Sequence, residues 1–171
     1  MAKHFDWNRI GDIAVGRENL GEEMSVAVYR LLMYSLMDEL SERFTKEKGD
    51  EILRAIGYRA GLAIAENIIE ESRDFNAFIA DLQMKLKEMK VGILRIESAD
   101  MEKKHIVMTV SEDLDCSGLP VTGEAVCIYE EGLISGLLYY ATGQEFTVTE
   151  IDCWATGDRT CRFEAKACET N

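Results

Sequence analysis

The spacing of apolar residues changes at Gly92, and that change limits what the chain can fold into. Before it, apolar residues recur every three or four positions, as they do on one face of a helix. They run Val28, Leu31, Leu32, Leu36, Leu40 and Phe44, then Ile52, Leu53, Ile56, Ala60, Ala63, Ile64 and Ile68, then Phe75, Phe78, Ile79, Leu82, Leu86 and Met89. These runs predict helices over 22–46, 50–71 and 75–90, divided at Gly49 and Asp50 and again at Ser72 to Asn76. Glu22 and Glu23 suit a first helical turn, where the helix dipole favours acids. Beyond Gly92 the period falls to two, and Ile93 to Glu97 and Lys104 to Val110 read as two short antiparallel strands joined by a turn-prone tip. A helical pattern returns over 123–142, and strands of about 145–154 and 160–167 follow. Helices on one side of a set of paired strands make an α+β fold: an antiparallel sheet of about four strands packed against a layer of about four helices.

Residues 1–20 carry no helical period and read as an N-terminal arm, with Trp7, Ile10, Ile13 and Val15 as an arm or short strand packing on a partner. The remaining 21–171 is long enough for a single domain with a real core. In the first helix Met33, Tyr34 and Met37 widen the apolar stripe. Its expected use is core packing, with a helix–helix dimer surface as the alternative. Gly57 and Gly61 stand four apart on the second helix, as do Gly132 and Gly136 on the fourth, which lets another backbone approach closely.

The formal charge of −13 argues against a nucleic-acid or anionic-membrane surface, since phosphate binding needs clustered Lys and Arg. Lys85, Lys87 and Lys90 alternate with Glu88 and apolar residues, as on a solvated helix face. Five cysteines is an odd number, and the chain opens with no charged segment leading an apolar signal core, so a secreted disulfide framework is not expected. No apolar run approaches the length of a spanning helix. These features predict a cytoplasmic, reduced protein. His4 and His105 have no sequence neighbours that would make either a ligand or a general base.

Four of the five cysteines fall between residues 116 and 161. Cys127, Glu150, Cys153 and Cys161 are a donor set that a soft cation could gather, because thiolates and a carboxylate can complete a tetrahedral site. In a regular strand Glu150 and Cys153 would point to opposite faces, so the chain must bulge near Ile151 and Asp152. The turn from Ala155 to Asp158 would then bring Cys161 back. Cys127 near a helix start would have its thiol pKa lowered by the dipole. The alternative is that these cysteines are small core residues. Cys168 reads as a spare thiol.

The run GEAVCIYEEGLISGLLYYATGQ followed by EFTVTEIDCWATGDRTCRFEAK resembles the C-terminal signature of the 4-vinyl-reductase domain family, here at 116–166. That family includes proteins of bacteriochlorophyll synthesis, sensor domains of phenol- and xylene-responsive activators, and archaeal stand-alone proteins. The resemblance implies a fold similar to transport-particle (TRAPP) subunits and haem nitric-oxide sensors. Cys127, Gly132, Gly136, Gly143, Glu150, Cys153, Gly157 and Cys161 match the aromatic-sensor branch, which implies a structural zinc on Cys127, Glu150, Cys153 and Cys161. Cys116, in CSGLP, departs from the sensors and is a possible alternative ligand. A weaker likeness reaches GRENLG at Gly16 to Gly21 and the helix with Tyr29 and Arg30.

The resemblance also implies a small hydrophobic ligand, whether hydrocarbon, aromatic or tetrapyrrole-like, in a pocket between helices and sheet. Tyr129, Gly132, Gly136, Tyr139, Tyr140 and Trp154 are the candidate walls. The function so implied is a sensor or carrier module, without catalytic residues, acting as a homodimer that signals to a separate protein. One alternative is a tetrapyrrole vinyl reductase or its accessory protein, although no G-x-G-x-x-G follows a strand. Another is a ligand-free protein-interaction module.

Overall fold

The computed structural model describes residues 5–69 and 74–168. A 3-10 turn at Trp7–Ile10 and the one-turn helix α1, Ile13–Gly16, open the chain. Helices α2 (Val26–Arg43), α3 (Lys46–Asn67) and α4 (Phe75–Glu88) follow, then strands β1 (Ile93–Asp100) and β2 (His105–Ser111). Helix α5 (Ile128–Thr142) precedes β3 (Phe146–Asp152) and β4 (Cys161–Ala167). The four strands are antiparallel throughout in the order β1-β2-β4-β3, so the expected α+β architecture is present.

The sheet buries one face. Leu94, Ile106, Met108, Val110, Phe146, Val148, Cys161, Phe163 and Ala165 point inward against α4 and α5 and form one cluster with Phe78, Ile79, Leu82, Leu86 and Leu137. The outer face is polar, where Arg162 pairs with Glu97 and Asp152, and His105 with Glu164. The two hairpins are therefore amphipathic with period two, as their sequences require.

Helices α3 and α5 cross through their glycines. A Cβ on Gly57 or Gly61 would lie 2.0 or 2.2 Å from the carbonyl oxygens of Tyr129 and Leu133. On the other helix, a Cβ on Gly132 or Gly136 would lie 2.1 or 2.2 Å from those of Arg54 and Tyr58. Backbone meets backbone in both directions, which only glycine permits. The seam presses the apolar band of α5 into the core on its other side.

Three expectations need correction. The first and second helices part at Phe44 and Thr45, where the Thr45 side chain accepts from the Lys48 amide at 3.4 Å; Gly49 lies inside α3. Helix α5 starts at Ile128, not residue 123, because 123–127 runs as an irregular approach to the Cys127 cap. Helix α2 does not bury its stripe: it has no buried residue, and Val28, Leu31 and Leu32 are 57%, 71% and 66% exposed. The N-terminal residues form single helical turns rather than a strand. His4, Ser72 and the predicted helix end at residues 70 and 71 lie outside the described residues.

Candidate metal centre and adjoining cavities

Helix α5 begins where β3 and β4 meet, and three local features aim donors at that point. The β3–β4 register shifts between Glu150 and Asp152, the bulge that lets Glu150 and Cys153 both turn inward. The turn after Cys153 closes through Gly157, whose φ of 110° favours glycine, and returns the chain to Cys161. Cys127 caps α5 with its backbone alone, leaving its sulfur unengaged by the helix, while its amide donates to Glu150 Oε2 at 3.2 Å.

The loop at 113–117 supplies a fifth donor. Asp113 Oδ1 accepts from the amides of Asp115 and Cys116 at 2.7 and 3.0 Å and curls the loop inward. Arg30 of α2 then latches it from outside, donating to the carbonyls of Leu114 and Ser117 at 2.8 and 2.9 Å. Tyr29 and Tyr34 add bonds to Asp115 Oδ1 and its carbonyl at 2.6 and 3.0 Å. Helix α2 is thus held by polar contacts to the very loop that carries Cys116.

One donor atom each from Cys116, Cys127, Glu150, Cys153 and Cys161 lie within 4.8 Å of one another, all buried. This cluster could hold a metal ion. Thiolates bound at about 2.3 Å to a tetrahedral ion stand about 3.8 Å apart. Cys127 Sγ lies 4.0 Å from Cys153 Sγ and 3.9 Å from Cys161 Sγ, close to that spacing. Cys116 Sγ is nearer, 3.0 Å from Cys161 Sγ. Glu150 Oε1 is buried without a hydrogen-bond partner among the described residues, as a carboxylate oxygen facing a cation would be. The donor set fits a thiophilic ion.

Positioning comes from a second row of bonds. Glu131, buried in α5, accepts from the Glu150 amide at 2.8 Å and from Arg54 Nε at 2.6 Å, fixing the bulge to α5 and α3 together. Burial and the neighbouring Cys153 push the Glu150 carboxyl up to about 8. Hydrogen bonds from Cys116, Cys127 and Cys161 pull the Cys153 thiol down, making it the preferred thiolate. The dipole effect expected to lower Cys127 is outweighed: hydrogen bonding with Cys116, Cys153 and Cys161, with burial, pushes it up. Burial and the charge of Asp113 raise Asp115 to about 6.

The residues singled out as pocket walls do not share one space. Tyr129 lines a cavity of about 110 Å³ with Tyr29, Asp113, Asp115, Glu130 and Leu133. Gly132 and Gly136 sit in the α3–α5 seam, and Gly132 also floors an open groove of about 480 Å³ beside β3. Tyr139 and Tyr140 are exposed, facing Tyr58 and Phe78 at ring separations of 6.1 and 6.2 Å. Trp154 donates to the Leu119 carbonyl at 3.1 Å beneath the Arg159 guanidinium. The enclosed apolar space is elsewhere: about 20 Å³ between α4, α5 and the sheet, lined by Ile79, Leu82, Leu86, Leu94, Met108, Leu137 and their neighbours.

Sequence reading passed over Asp113, Glu130 and Glu131. The signal was available for two of them, since Glu130 and Glu131 are adjacent acids inside an otherwise apolar band, and a charge there needs a buried partner.

An α+β domain with a buried cluster of cysteines and carboxylates at the root of its last hairpin is the class that fold and site define. Residues 106–167 match the family model of the 4-vinyl-reductase domain, so the resemblance in the C-terminal signature is met. The uncharacterized protein MJ1642 of Methanocaldococcus jannaschii is 27% identical over 149 residues, 87% of this chain and 81% of that one. MJ0150 of the same organism is 27% identical over 67% of this chain, which spans 65% of its length. Among solved structures, a vinyl-4-reductase family protein from Methanocaldococcus jannaschii superposes with a TM-score of 0.64, 19% identity and 99% coverage of both chains. The phenol-responsive sensory domain of the transcription activator PoxR, solved with phenol, gives 0.61 at 16% identity over 84% of this chain and 75% of that one. A trafficking protein particle complex subunit 3 from Naegleria fowleri, covalently bound to palmitic acid, gives 0.66 at 12% identity over 84% and 95%. At these identities the likeness is one of fold.

Proposed function

We propose that this protein is a ligand-binding module in which zinc pins the start of α5 to the β3–β4 hairpin beside a site for a small hydrophobic molecule. The ligands of the ion are Cys127, Glu150, Cys153 and Cys161, with Cys116 as the alternative to Glu150. Four protein donors leave no open position, so this ion is structural. The observation that carries the reading is adjacency: the enclosed apolar space and the 110 Å³ cavity share Glu130 and Leu133, and α5 joins both to the cysteine cluster. The molecules found with PoxR and with the trafficking subunit support an apolar ligand in this fold. Helices α4 and α5 must part for one to enter, since about 20 Å³ admits little more than one water.

The uncovered stripe of α2 supports a homodimer. Among the described residues no helix is long and apolar enough to cross a membrane. We place the module in the cytoplasm, passing its state to a separate protein. The small cavity together with the uncovered stripe favours a second reading, an interaction module with no ligand.

Two measurements separate these readings. Protein purified without chelator or added metal is expected to carry one zinc on the hairpin, lost in Cys153→Ala together with thermal stability; full stability and no metal in either protein would end the zinc assignment. Native mass spectrometry is expected to find an apolar molecule travelling with the wild type and absent from Leu137→Trp, which fills the enclosed space. An empty wild type that also fails to bind an apolar fluorescent probe would leave the interaction module.

A further inference from the structure

Glu130 is a second acid that the zinc site leaves unexplained. It is 5% exposed, and its Oε2 has no hydrogen-bond partner among the described residues. An uncompensated carboxylate in that position costs several kcal/mol, so it requires a cation or a proton. Donor atoms of Asp113, Cys127 and Glu130 lie within 4.8 Å of one another, a group distinct from the thiol-rich one but sharing Cys127 with it.

Counting donors gives the same result from the other side. The thiol-rich cluster offers five donors to an ion that needs four, so one sulfur is spare for a neighbour. Cys127 is the sulfur placed to serve both, since it alone belongs to both groups. Bridging thiolates hold two borderline cations without adding a ligand, and the two carboxylates complete three donors on the second ion.

We propose that Asp113, Cys127 and Glu130 form a second metal site, for a borderline divalent cation of the zinc or ferrous type, joined to the first through the Cys127 sulfur. Sulfur with two carboxylates suits such ions better than magnesium or calcium, which take oxygen alone. Asp113 and Glu130 also line the 110 Å³ cavity, together with Tyr29, Tyr129 and Leu133. Three protein ligands leave the fourth position open, and here it opens onto that cavity. A small donor molecule, such as water, an alcohol or an azide-like anion, is the class that fits. The first ion is a closed staple; the second is a place where a ligand meets metal.

The proposal shares Cys127 with the zinc reading, and its test keeps the two apart. Full-length protein is stripped with chelator, reloaded with zinc or cobalt(II), freed of excess metal and counted by native mass spectrometry. Wild type is expected to hold two ions, and Glu130→Gln and Asp113→Asn one each, with the circular-dichroism spectrum of the wild type. Azide is expected to change the cobalt d–d bands of the two-ion protein and not those of Glu130→Gln. One ion in wild type and in Glu130→Gln alike would overturn the second site, leaving Asp113 and Glu130 sharing a proton and the zinc reading standing. Two ions in wild type with one kept by Cys153→Ala and lost from that variant by Glu130→Gln would uphold the second site independently of the first.

Discussion

Helices α2 and α5 have apolar stripes of similar appearance in the sequence and opposite fates in the structure. Helix α5 is wrapped: its glycines admit α3 on one side, and Leu133, Ile134, Leu137 and Leu138 enter the core on the other. Helix α2 turns Val28, Leu31 and Leu32 to solvent and is held through Tyr29, Arg30 and Tyr34. The lesson is that a 3.6-residue period states that a face will be covered, without stating by what. For α5 the cover lies in the same chain. For α2 nothing among the described residues supplies it, and exposed apolar patches of this kind mark interaction surfaces.

This contrast can be broken by substitution, and the largest effect is expected at the seam. Gly132→Ala places a Cβ 2.1 Å from the Arg54 carbonyl oxygen, so the helices must separate. A loss of about 3 kcal/mol is expected, at the upper end for overpacked cores, read as a fall in the urea midpoint. An unchanged midpoint would mean that the two backbones are not in contact there. Next is Arg30→Ala, which removes bonds from a charged donor to two loop carbonyls. It is expected to lose about 2 kcal/mol and to release metal to a chelator faster than wild type. A stability loss with unaltered release would confine α2 to packing. The smallest effect on folding is expected for Leu31→Glu with Leu32→Glu, within about 0.5 kcal/mol, as for other surface changes. Sedimentation is where this pair should matter: a dimer built on α2 falls to monomer, and a sedimentation coefficient identical to wild type would exclude that face.

Much of the fold was legible because alternation and helical period are local. The bulge near Ile151 was legible too, since donors three apart on a strand cannot otherwise share a side. The α2–α3 boundary was missed because Gly49 looked like a stop, whereas the cap is Thr45 and Gly49 packs beside Leu40 at 3.5 Å. Cys127, Glu150, Cys153 and Cys161 were legible as a group by chemistry and spacing. The cavity walls were not, because enclosure depends on which elements face each other across the sheet. Leu82 and Met108 are ordinary core residues in sequence and neighbours only in space. Tyr139 and Tyr140 had the chemistry of pocket residues and sit at the C-terminal end of α5, beyond what the sheet covers.

The Arg30 latch has one more consequence. The loop it grips carries Cys116, a donor of the buried cluster, so the outer helix and the inner cluster pull on one short segment from opposite sides. Free energies along such a segment are reciprocal: a partner that shifts α2 by binding it alters the affinity of the cysteines for metal, and metal alters the affinity for the partner by the same factor. The surface of this protein is in that sense a gauge of its interior.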